Sequence, residues 1–121
     1  MAFYSWRDVV RDLEPNPSLP AGMSRRSIAG DRVMLCIHEA FPHLKCSPHQ
    51  HEAEQFSIVL AGRMRFVIGD EERVLGPGEV AYIPGRVSHA IESLDAYVQV
   101  LDVFSPLRSD IIARLQEIGR P

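Results

Sequence analysis

A chain of 121 residues, 45% of them hydrophobic and 24% charged, is long enough to bury one core without a disulfide or metal staple. Its formal net charge of −3, with Lys and Arg scattered rather than gathered in a stripe, argues against a nucleic-acid partner. No apolar run approaches the roughly 20 residues of a membrane span, and Arg7 and Asp8 interrupt the N-terminus where a signal peptide needs an apolar segment, so a cytoplasmic protein is expected.

Residues 1–22 read as a lead-in. SWRDVVRDL (5–13) has the pattern of a short helix, and EPNPSLPAG after it, with three prolines, is an extended stretch. From 23 to 107, short apolar runs alternate with Gly and Pro punctuation. Strands are expected over 23–29, 32–40, 53–61, 63–69, 72–76, 79–84, 88–93 and 96–105, with turn formers such as Ala29-Gly30-Asp31, Gly69-Asp70 and Gly76-Pro77-Gly78 between them. About eight strands at such spacing specify an all-β sandwich or barrel rather than alternating βαβ units. Residues 108–121 are expected as a helix packed on that barrel. Ile111, Ile112, Leu115 and Ile118 share one face, which packs on the barrel or against a second subunit, and Gly119 with Pro121 supplies the stop. Ser105 as N-cap and Pro106 in the first turn would start the helix.

The two cysteines do not make a disulfide framework. Cys36, in RVMLCI, is expected to be a small buried hydrophobe. Cys46, three residues before His49, would be half of a zinc site only with a second C-x-x-C or C-x-x-H, which the sequence lacks.

HQHEAEQ, residues 49–55, carries the strongest chemical signal. On an extended strand His49 and His51 point to one side and can share an ion, and Gln55, Ser57 and Val59 keep the same parity. H-x-H alone is weak, because two histidines on a strand face are usually surface polar residues. His89 has its own bland reading, a core histidine capped by a backbone group. Asp102 is a charge inside the otherwise apolar run YVQVLDVF and shares a face with Phe104. Arg108 follows just beyond a Ser-Pro turn.

Taken together, His49-x-His51, Gln55 after three residues and Gly62 after six more resemble the first motif of the cupin superfamily. Gly78, Pro84 and His89 in PGEVAYIPGRVSH resemble the second. The resemblance implies a jelly-roll β-barrel holding one divalent transition metal, Fe, Mn, Ni, Co, Cu or Zn, on His49, His51, Gln55 and His89. The chain departs from the pattern at three places. His43 stands where the first motif opens with Gly, Arg86 where a Gly follows the second-motif Pro, and Gln55 where the ligand is usually Glu. Glu54 cannot replace it, since it faces the other side of the strand. His38 and His43 match no ligand position and read as structural or exposed.

Three imidazoles and an amide carry no charge, so a divalent ion on them keeps its full positive charge and pulls harder on anions and bound oxygen atoms. That favours Lewis-acid chemistry on a carboxylate or hydroxy-carbonyl substrate and works against iron oxidation. The Gln of motif one and the tail LDVFSPLRSD resemble the small single-domain cupins of the pectin-degradation type, which open the ring of unsaturated uronic acids to linear keto sugars. By that resemblance Asp102, Phe104 and Arg108 line the substrate side of the metal. Arg108 would hold the uronate carboxylate by a bidentate pair, and Asp102 would move a proton. A cupin oxygenase or other small-molecule metalloenzyme, and a non-catalytic metal- or ligand-binding cupin module, are the alternative readings. The expected partners are a small anionic substrate and a second copy of the chain, a homodimer formed through the last helix or through Phe3, Tyr4 and Trp6.

Overall fold

The computed structural model, which describes residues 2–119, has nine strands among them. They are β1 (Arg11–Asp12), β2 (Met23–Ala29), β3 (Met34–Ala40), β4 (Glu54–Ala61), β5 (Met64–Ile68), β6 (Glu71–Leu75), β7 (Val80–Ile83), β8 (His89–Ser93) and β9 (Val98–Ser105), followed by helix α1 (Ser109–Ile118). All pairings are antiparallel. One sheet runs β1-β2-β3-β9-β4-β7 and the other β6-β5-β8, the two-sheet arrangement of the expected jelly roll.

The inward faces follow the period of two. On β4, Gln55, Ser57 and Val59 are buried while Glu54, Phe56 and Leu60 face out. On β9, Val98, Val100, Asp102 and Phe104 are buried. Two apolar clusters result. The larger joins both sheets through Met23, Val59, Met64, Phe66, Val98 and Val100. The smaller, Met34, Cys36, Ala53, Phe104 and Ile111, lies where α1 packs on the barrel. Along β4 and β9 the polar residues Gln55, Ser57 and Asp102 fall between the two clusters, so the site is a polar band walled on both sides by apolar side chains.

Two local expectations change, the N-terminal helix and the cap of the last helix. The short helix over 5–13 is a single 3₁₀ turn at Trp6–Asp8, and Arg11–Asp12 instead pairs with Arg25 and Arg26 of β2. The chain from Leu44 to His49 runs antiparallel beside β8, through Lys45↔Glu92 and His49↔His89, with a one-residue slip at Pro48 and its neighbours. Ser105 does not cap the helix. It ends β9 and its hydroxyl donates to the Arg32 carbonyl at 2.7 Å, while α1 starts three residues later with Arg108 as N-cap. The helix stripe turns to its own barrel: Ile111 is fully buried, and Ile112 and Leu115 pack on the same cluster. Gly119 closes α1, its N–H on the Leu115 carbonyl at 2.7 Å, whereas Pro121 lies outside the described residues.

The motif glycines have steric reasons. Gly62, between β4 and β5, has φ of 72°, and a Cβ there would collide with the Tyr97 carbonyl oxygen. The two positions where this chain lacks an expected glycine adopt the same left-handed backbone, His43 with φ of 61° and Arg86 with φ of 65°. No helix among the described residues is long and apolar enough to cross a membrane.

Candidate metal centre

The two motifs are tied together by backbone bonds. His49 and His89 exchange both N–H···O bonds, at 3.0 and 2.9 Å, and the Arg86 N–H donates to the His51 carbonyl at 2.7 Å. His49 and His51 therefore stand just ahead of β4 rather than on it, held by the loop and strand that carry the second motif. The three rings converge, with centroids 4.3 Å apart for His49 and His89, 4.8 Å for His51 and His89, and 5.7 Å for His49 and His51. One nitrogen from each lies within 4.8 Å of the others, so small ring rotations bring all three onto a single ion.

The orientation of each ring is fixed from behind. Nδ1 of His51 donates to the Ala53 carbonyl at 2.8 Å and Nδ1 of His89 to the Val87 carbonyl at 2.9 Å. Nδ1 of His49 makes a longer contact of 3.5 Å to the Ser47 carbonyl. The His51 and His89 rings thus carry their proton on Nδ1 and offer the Nε2 lone pair, the outer-shell arrangement of metal-binding histidines. Burial lowers the pKa of all three, that of His89 to about 4, which keeps the imidazoles neutral as ligation requires. His89 Nε2 is buried with no partner in the protein.

Gln55 brings a further oxygen to the edge of the histidine cluster. Its amide nitrogen donates to Ser57 Oγ at 2.9 Å and to Asp102 Oδ1 at 3.2 Å, which turns Oε1 toward His51 Nε2 at 3.1 Å. With the His51 proton on Nδ1, that contact sets two lone pairs against each other. A shared cation resolves it, and so the donor set fits a metal ion of the nitrogen- and oxygen-loving kind.

The remaining residues expected at the site also come together. Ser57 faces Asp102 and Gln55 faces Phe104 across the β4–β9 ladder. Ser57 Oγ donates to Asp102 Oδ1 at 2.5 Å. His38 Nδ1 sits 2.7 Å from Asp102 Oδ2, out of line for a straight hydrogen bond. Burial pushes the Asp102 pKa up, but His38, Ser57 and Gln55 together outweigh it and hold the carboxyl below its ordinary range. Phe104 and His51 pack edge to face, with centroids 5.6 Å apart, and the Arg108 guanidinium lies 5.1 Å from the Phe104 ring centroid. Arg108 departs from expectation in one respect. Its Nε and Nη2 already hold Asp110, at 3.1 and 2.6 Å, leaving the Nη1 side of the fork for a ligand. All of these residues line one cavity of about 680 Å³, and Asn16 and Ser18 of the lead-in form part of its wall.

Three residues of the site were not singled out from the sequence. Ser57 shares the parity of Gln55, yet parity alone gives it no partner. His38 matches no motif position, and its approach to Asp102 depends on the pairing of β3 with β9. Asp110 reads as an ordinary first-turn acid of a helix. His43 is exposed and distant from the cluster, as expected. Cys46 lies in the cavity wall but outside the histidine cluster.

Comparison with known proteins agrees with this geometry. The Cupin domain family matches residues 39–104. The pectin degradation protein KdgF of Dickeya dadantii is 31% identical over 109 residues, which cover 88% of this chain and 98% of that protein. The structure of KdgF from Halomonas sp. superposes with a TM-score of 0.79 at 27% identity, covering 92% of this chain and 98% of that one. An RmlC-like cupin from Shewanella frigidimarina has the same fold, with a TM-score of 0.81 at 20% identity over 92% of this chain and 96% of its own. The two-sheet barrel, the histidine cluster and these matches make the chain a member of the cupin family, related within it to the KdgF pectin degradation proteins.

Proposed function

We propose that this chain is a divalent-metal-dependent isomerase that opens the ring of an unsaturated uronate, with His49, His51, Gln55 and His89 as the metal ligands. The observation that carries the reading is the convergence of three Nε2 atoms and the Gln55 oxygen at one end of a cavity that also holds Phe104 and Arg108. Similarity to KdgF points to the same substrate class. When bound, the ion supplies a Lewis acid of undiminished charge, because none of its four ligands is anionic.

The chain's own residues divide the remaining work. Arg108, stacked on Phe104, presents its Nη1 side to the substrate carboxylate while Asp110 holds the other edge of the fork. Asp102, a buried carboxylate of the cavity wall with His38 against Oδ2, takes the proton from the anomeric hydroxyl. The ring C–O bond then breaks, its electron pair goes to the ring oxygen as an enolate, and the proton returns to the neighbouring alkene carbon. Substrate and product have the same formula, so no co-reactant is needed.

The test is direct. Protein mixed with an unsaturated uronate should speed the loss of the conjugated enol-ether absorbance. The rate should fall with a chelator and return on adding a divalent metal. No acceleration over buffer by the metal-loaded protein would sink the reading in favour of another cupin chemistry.

A further inference from the structure

We infer that Asp102, acting with Ser57, is a positioning residue that makes glutamine, and not glutamate, the working oxygen donor at position 55. The inference rests on the reading of the histidine cluster as a metal centre. It concerns how this chain aims its fourth ligand.

The hydrogen-bond inventory of the buried band admits one arrangement. An ionised carboxylate only accepts, so both groups facing Asp102 Oδ1 must donate. Ser57 spends its single proton there, at 2.5 Å, and its oxygen is then free only to accept. The group at position 55 that reaches both Ser57 Oγ at 2.9 Å and Asp102 Oδ1 at 3.2 Å must therefore be an N–H₂. An amide has one nitrogen and one oxygen, so fixing the nitrogen fixes the oxygen, and Oε1 is delivered to the histidines. The opposite flip would place N–H on His51 Nε2 and cap a ligand nitrogen. Asp102 forbids it.

The same geometry excludes glutamate. A carboxylate at position 55 would set an oxygen against Asp102 Oδ1 at the present 3.2 Å separation, between residues that are only 7% exposed each. Two like charges at that distance between buried side chains repel strongly. The anionic ligand usual at this position and the buried Asp102 are thus alternatives, and this chain carries the carboxylate one shell further out.

The inference predicts strong coupling between positions 55 and 102, read as melting temperature of the metal-free protein and as affinity for Zn²⁺ in competition with a chromophoric chelator. Gln55→Glu alone should lower the melting temperature and gain no Zn²⁺ affinity, although it adds a negative ligand. Gln55→Glu combined with Asp102→Asn should regain the melting temperature and bind Zn²⁺ tighter than the parent. Ser57→Ala should lose about tenfold in Zn²⁺ affinity, the scale expected for a group that orients a ligand.

Should Gln55→Glu fail to fold, recovery of folding in the double variant supports the inference, and an unfolded double variant beside a folded Asp102→Asn overturns it. Additive effects at the two positions also overturn it. Neither readout uses a uronate. A coupled cycle without uronate turnover would leave this inference standing while the proposed reaction fell. If the parent bound no Zn²⁺ while the melting temperatures stayed coupled, the metal centre would fall and the pairing of Gln55 with Asp102 would remain.

Discussion

If Arg108 receives the substrate carboxylate as proposed, Asp110 sets how strongly it can do so. The guanidinium is nearly buried, lies over Phe104, and gives its Nε–Nη2 edge to a carboxylate of its own chain. An arriving carboxylate finds half of the fork engaged and half of the positive charge offset. Asp110→Asn should therefore strengthen substrate binding, lowering KM for a uronate several-fold and tightening inhibition by simple dicarboxylates, with a smaller change in kcat. An unchanged KM would mean that Asp110 only holds Arg108 in place. The contrast with the proposed metal ligands is instructive. His49, His51, Gln55 and His89 were legible because their spacing is a local property of the chain. The grip of Asp110 on Arg108, and of His38 and Ser57 on Asp102, depends on where a helix starts and which strands pair, and no spacing reports that.

At the scale of elements, alternation is clearest on β4, β7 and β9, which each turn one face to the interior. It does not mark β1, which has two residues, or the stretch beside β8, where Pro48 interrupts the ladder. The turns tell more than the strands. His43 and Arg86 occupy left-handed backbone in the connections that lead into the two metal motifs, and the Arg86 N–H is the donor that pins the His51 carbonyl. The sequence departs from glycine there, but the fold keeps glycine's conformation, at a steric cost that a Cβ imposes. His43→Gly and Arg86→Gly should each stabilise the protein by about 0.5–1 kcal/mol in urea unfolding. The ion pair that Arg86 would lose, to Glu52 at 3.3 Å, is exposed on both sides and offsets little of that gain. A loss of stability in both variants would show that these loops rely on their side chains more than on backbone freedom.

For the whole molecule, Asp12 is the residue that joins lead-in, barrel and helix. Its carboxylate accepts from Arg114 Nε and Nη2 on α1, at 3.0 and 3.2 Å, and lies 3.5 Å from Nη2 of Arg25 on β2. Arg25 is itself buried and holds the Ser18 carbonyl and hydroxyl at 3.0 Å, which fixes the lead-in turn against the cavity. Burial pushes the Asp12 pKa up, but the hydrogen bonds and charge of Arg114, with Arg25 and the Glu14 N–H, pull it further down, so the net shift is below the ordinary value. The folded chain therefore binds fewer protons than the unfolded chain between those two values. Stability from this group is fully present above roughly pH 4, and is lost as the pH falls through the lowered folded value. Asp12→Asn leaves the Arg25 charge buried without its counter-ion, so it should cost roughly 3 kcal/mol at neutral pH. Followed by denaturant unfolding at successively lower pH, the gap between parent and variant should hold down to about pH 4 and narrow below it. A gap that stays constant through that range would mean that shape, and not charge, makes Asp12 the joint between the lead-in wall of the cavity and the helix that carries Asp110.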